Sequence, residues 1–123
     1  PEGHLMALTR WDSGVEVWDL RQDPPLCVGR WKSEEDCEEG LPVAWGKVPG
    51  MGSVLFVGQP SGSILLLDVP SCRELGRLGD HSGKSVDSIV FRFKTTKRGR
   101  RVAFLAAGDK KGQVRIWRWH TGK

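Results

Sequence analysis

Cysteine is scarce: three in 123 residues, Cys27, Cys37 and Cys72, with no two of them separated by two positions. An odd, unclustered set signals neither a disulfide framework nor a paired zinc knuckle, so free thiols in a reducing compartment are expected, and no metal site. No apolar run approaches the roughly 18 residues that a membrane-crossing helix needs. Residues 1–10 lack the basic start and apolar stretch of a secretory signal. An intracellular location, cytoplasm or nucleus, with no membrane contact is therefore expected. Helical periodicity is also hard to find, which leaves almost no room for helix. The first residue is Pro1 and not Met, as expected of a piece cut from something longer or of a chain whose initiator Met has been processed away.

Turn-forming residues are plentiful instead, with 16 Gly and 7 Pro, but without the three-residue period of a collagen helix. A hydrophobic share of 38% can fill one modest core, so a folded chain is expected. Short alternating or continuous apolar stretches recur between Gly, Pro, Ser and Asp clusters, the pattern of an all-β protein. The expected strands are 5–9, 15–20, 26–31, 41–47, 53–57, 63–69, 73–78, 86–93, 101–107 and 113–119.

Three segments superimpose on one another: 7–20, 55–69 and 105–119. Gly14, Gly62 and Gly112 lie 48 and 50 residues apart, and Trp18, Leu67 and Trp117 lie 49 and 50 apart. A fixed period of this length marks a stacked array of one supersecondary unit. Each copy reads as a hairpin whose turn needs a residue tolerant of positive φ, hence Gly. In the outgoing strands Val15 and Val17 oppose Trp18, and Val114 and Ile116 oppose Trp117 and Trp119, so both faces are apolar. A sheet apolar on both faces must be sandwiched between neighbours.

With Val-Glu-Val-Trp-Asp at 15–19 and Val-Arg-Ile-Trp-Arg at 114–118, the chain resembles the WD-repeat β-propellers. Trp18-Asp19 matches the family's signature dipeptide, while the third copy keeps Trp117 and has Arg118 in place of Asp. The Gly-His that opens a family repeat is degraded to Gly-Asp-His at 79–81, with His81 thirty-six residues before Trp117. The resemblance implies that His81, Asp109 and Trp117 belong to the hydrogen-bonded set tying a blade together. The middle copy departs, with Leu67 for Trp and no His near Gly40, which implies a blade held by packing alone. By family topology, 1–31 supplies three strands of a first blade, 41–78 a complete second blade and 86–119 three strands of a third. Propellers close with 4 to 8 blades, so this is expected to be an open, partial propeller, with the missing blades of a larger parent chain among its partners.

Charge divides along the chain, with 7 Lys+Arg against 13 Asp+Glu over 1–83 and 12 against 2 over 84–123. The segment 94–101 holds five cations, Lys94, Lys97, Arg98, Arg100 and Arg101, with no acid nearer than Asp87 or Asp109. It reads as a solvated hairpin loop, a contact for an acidic protein or nuclear-import partner, or a phosphate-binding element. Nucleic acid is disfavoured by the lack of an aromatic in the loop for base stacking. Residues 33–40 carry five carboxylates, without the alternating ligands and central Gly of a calcium loop. Trp11, in a hairpin turn, is a candidate interface anchor.

Gly83-Lys84-Ser85 lacks the first Gly of a phosphate-binding loop, since Leu78 stands there, and a strand follows in place of a helix. Asp80, His81 and Ser82 contain triad residue types, but consecutive side chains cannot form a relay. The expectation is a non-catalytic scaffold presenting loops to protein partners, with no cofactor and no small-molecule substrate. The alternative is a nucleic-acid or chromatin-associated module using the 94–101 loop.

Overall fold

The computed structural model describes residues 4–9, 14–33, 41–48, 50–69, 71–79 and 85–121. Ten strands run in order: β1 (Leu5–Thr9), β2 (Gly14–Asp19), β3 (Leu26–Lys32), β4 (Val43–Val48), β5 (Gly52–Gly58), β6 (Ile64–Asp68), β7 (Glu74–Leu78), β8 (Val86–Thr95), β9 (Arg101–Asp109) and β10 (Val114–Thr121). No helix occurs among the described residues, so none there is long and apolar enough to cross a membrane. The ten expected strands are all present, with ends shifted by a few residues. They form three antiparallel sheets, β1-β2-β3, β4-β5-β6-β7 and β8-β9-β10, which do not close on themselves.

Strand register defines the repeat. Thr9 pairs with Val15, Gly58 with Ile64 and Gly108 with Val114, so equivalent pairs lie 49 and 50 residues apart. The first sheet has a bulge between Val17 and Trp18, and the second has one at the equivalent place, between Leu66 and Leu67. The 59–63 and 109–113 turns also match. In each, a backbone bond of 3.0 Å joins Gln59 N to Ser63 O and Asp109 N to Gln113 O. Gly62 and Gly112 adopt φ of 102° and 84°, the left-handed region that a side chain would oppose. Gly14 departs from the turn role expected of it. It pairs with Lys32 as the first residue of β2, and by register it matches Ser63 and Gln113, one position beyond the turn glycines.

Directly opposed residues of an antiparallel pair share a face. On that basis the inner face of the first sheet (Leu5, Ala7, Val15, Val17) packs on Leu55, Val57, Leu65 and Leu67 of the second. The other face of the second sheet (Val54, Phe56, Ile64, Leu66) packs on Leu105, Ala107, Ile89, Phe91, Trp117 and Trp119 of the third. The middle sheet is therefore the core: Val54, Leu55, Phe56, Val57, Ile64, Leu65 and Leu67 are all fully buried. A continuous apolar run in β5 and β6 is what a sheet covered on both sides requires.

Two glycines set the spacing between elements. A Cβ on Gly46 would overlap Cε2 of Phe56, whose buried ring fills that hollow. At Gly58 a Cβ would come within 2.6 Å of Val86 Cγ1 and 2.8 Å of Pro42 Cγ. Polar ties also cross between sheets. Ser33 Oγ donates to Gln59 Oε1 at 2.7 Å, and Val86 N donates to Gln59 O at 3.2 Å.

Candidate interaction surface

The β8–β9 hairpin positions the basic cluster. Thr95 pairs with Arg101 at the end of the ladder, and residues 96–100 form the connection. Thr96 N donates to Arg100 O at 2.7 Å, Gly99 N donates to Thr96 O at 2.9 Å, and Arg100 N donates to Thr96 Oγ1 at 3.1 Å. Gly99 supplies the φ of 80° that the turn needs. The five cations are thus carried on a closed turn and the strand ends beside it. Lys94, Arg98, Arg100 and Arg101 are exposed, and Lys94 Nζ lies 5.9 Å from the centroid of the Phe104 ring. None of the five forms an ion pair with a carboxylate among the described residues. The strands of this sheet run antiparallel, so the loop lies at the end opposite the Asp109–Gly112 turn.

The outer face of the third sheet, turned away from the second, carries Val90, Phe104, Ala106, Val114 and Ile116 together with Arg92, Lys94 and Arg118. Val90, Val114 and Ile116 are 49%, 67% and 68% exposed, against 0% and 2% for Ile64 and Leu66, the middle-sheet equivalents of Val114 and Ile116. On the far side of the stack, the outer face of the first sheet exposes Met6 and Leu8 beside a half-buried Trp18. The Trp18 indole Nε1 donates to Glu16 Oε1 at 3.1 Å, and Glu16 also pairs with Arg30 at 3.5 Å.

The remaining sequence candidates fall in turns and strand ends. Asp19 ends β2, where its Oδ1 accepts from Arg21 N at 2.9 Å and its carboxylate pairs with the Arg21 guanidinium at 3.0 Å. That side-chain bond holds the Asp19 carboxyl below its ordinary range. Asp109 Oδ1 accepts from Lys111 N at 2.8 Å and Gln113 N at 3.0 Å, capping the turn that Gly112 makes possible. Trp117 lies on the inner face with the Arg115 guanidinium 5.3 Å from its ring centroid, and Arg115 Nη2 donates to the carbonyl of Gly62 across the sheet boundary. Arg115, Ile116, Trp117 and Gly79 line an open depression of about 580 Å³. Trp11, His81 and the acidic segment 34–40 lie outside the described residues.

No family model matches the chain, and no curated protein or solved structure matches it. Among the described residues no group of three or more His, Cys, Asp or Glu is placed to hold a metal ion. The two thiols described, Cys27 and Cys72, are free. Cys27 is half-buried, and its thiol donates to the Gly29 carbonyl at 3.5 Å. Sequence reasoning also passed over the Ser33–Gln59 and Arg115–Gly62 contacts, which link residues 26 and 53 positions apart. No local pattern announces such pairs.

Proposed function

We propose that this chain is a non-catalytic scaffold of the WD-repeat kind, in which stacked blades hold loops in fixed positions for protein partners. The observation that carries the reading is the β8–β9 hairpin. Its turn is internally hydrogen-bonded, and it presents five cations with no carboxylate partner among the described residues. A fixed array of one sign attracts a surface of the other and sets the orientation in which it docks. The repeated register, the repeated bulge and the matched turns support the blade reading, together with Trp18-Asp19 and Trp117. On this reading Asp19 and Asp109 are structural, each closing a turn.

Lys97, Arg98, Arg100 and Arg101 carry the charge that phosphates require, so a nucleic-acid role, disfavoured by the lack of an aromatic in the loop, is the competing use of the same cations. Fluorescence anisotropy with a labelled poly-glutamate peptide and with a duplex DNA separates the two. The acidic peptide should bind, and Lys97→Ala/Arg98→Ala/Arg100→Ala should weaken it by about tenfold, as expected when three exposed charge pairs are lost. An unaffected variant removes the loop from the function. Tight duplex binding whose affinity falls with salt at a log-log slope of about −3 to −4 would transfer the loop to nucleic acid.

A further inference from the structure

We infer that the outer face of the third sheet binds the outer face of the first sheet on a second copy of the chain, a head-to-tail contact that continues the two sheet-on-sheet contacts already present within each copy. The inference rests on the stacked-sheet part of the proposed function and is independent of the basic loop.

Register-equivalent residues carry it. Val15, Ile64 and Val114 occupy one position of the repeat, and Val17, Leu66 and Ile116 another. In the first two sheets these residues are 0–2% exposed, because the next sheet lies over them. In the third sheet they are 67% and 68% exposed. Three sheets thus present one kind of face in the same direction, and two of the three faces are covered.

The covering face is equally defined. Leu55 and Leu67 of the second sheet lie over the first, and Leu105 and Trp117 of the third lie over the second. Their register equivalents on the first sheet are Met6 and Trp18, with Leu8 at the position of Val57 and Ala107. Met6 and Leu8 are 39% and 42% exposed. One end of the stack therefore presents a face of the covered kind, and the other end a face of the covering kind. Two copies placed in sequence match the one to the other.

One polar position changes sign between the sheets. Arg115 reaches the Gly62 carbonyl at the turn of the sheet before it. Glu16, which is paired with Arg30, occupies the position of Arg115 in the repeat, and Gly112 occupies that of Gly62. In the contact between copies, Glu16 would face the turn that carries Lys110 and Lys111. Because the two patches differ, the association is heterologous and either closes into a ring or extends into a filament.

Sedimentation velocity on the 123-residue chain, from low to high micromolar concentration, tests the contact. The expected result is a concentration-dependent mass above 13.7 kDa. Ile116→Lys and Met6→Lys should each return the chain to the monomer. An equimolar mixture of the two should form a one-to-one dimer, since one retains the first-sheet face and the other the third-sheet face. Both positions are exposed, so unchanged far-UV circular dichroism and melting confirm folding; Val114→Lys and Leu8→Lys serve as second variants. A wild-type monomer at every concentration overturns the inference, as does self-association of either single variant or a mixture that stays monomeric. Each of these results leaves the loop-binding measurement intact, so the two proposals fail separately.

Discussion

Truncation of Phe56 to alanine should loosen one sheet boundary and spare the other. Phe56 is fully buried on the β5 face turned toward the third sheet, its ring centroid 5.4 Å from that of Phe91 and 6.0 Å from that of Trp119. The ring also fills the hollow over Gly46, where no side chain could replace it. Removing it leaves a cavity between two hydrogen-bonded sheets that cannot collapse freely. The expected cost is about 3–5 kcal/mol. Against the 5–15 kcal/mol typical of a folded domain, roughly, that is a large fraction of the total. In an array whose sheets touch only their neighbours, the loss belongs to the interface where the contact was made. Leu55→Ala, one residue away on the opposite face of the same strand, should cost about 2–5 kcal/mol at the other interface. Urea unfolding followed by circular dichroism gives the magnitudes, and amide hydrogen exchange gives the location. Phe56→Ala should speed exchange mainly in β8–β10, and Leu55→Ala mainly in β1–β3. A loss below about 1 kcal/mol for either variant, or identical exchange patterns for both, would refute this account of the stack.

Gly58→Ala should destabilise by about 1–3 kcal/mol through overpacking against Val86 and Pro42, whereas Gly76→Ala, with open space around its Cβ position, should be nearly neutral in the same urea titration. Cys72 is 3% exposed, and burial pushes its thiol from the ordinary value of 9.0 up to about 11. Iodoacetamide at neutral pH should therefore alkylate Cys27 well before Cys72, which peptide mass spectrometry reads directly. The folded chain holds that proton more tightly than the unfolded one, so the contribution to stability is intact below the ordinary thiol value and is lost as pH rises from 9.0 to about 11. The alkaline fall in urea midpoint should be shallower in Cys72→Ala; an equal fall would exclude the thiol as its source.

Strand positions were legible because alternation and turn chemistry are local. Val15 to Asp19, Ile64 to Asp68 and the Gly62 and Gly112 turns follow from side-chain period and from the left-handed φ that glycine tolerates. The 49- and 50-residue spacing of Trp18, Leu67 and Trp117 is likewise the spacing of the strand pairing itself. Gly14 misled because an alignment on glycines counts from the turn, while hydrogen bonding counts from the paired strand ends. Asp109, which the resemblance to WD repeats implies in a blade-tying set, also closes its own turn with its carboxylate, a bond that the sequence reading did not include. The basic loop was readable as a run of charge. That none of its cations pairs with a carboxylate among the described residues depends on which strands lie beside it.

By itself, the order of residues determined that this chain makes strands, their order and approximate places, and that each sheet has two apolar faces, since these depend on neighbours within a few positions. Only the tertiary structure decided which faces are covered. Val15, Ile64 and Val114 have like side chains in like strands, yet the first two are buried and the third lies open, because burial is set by what packs from elsewhere in the chain.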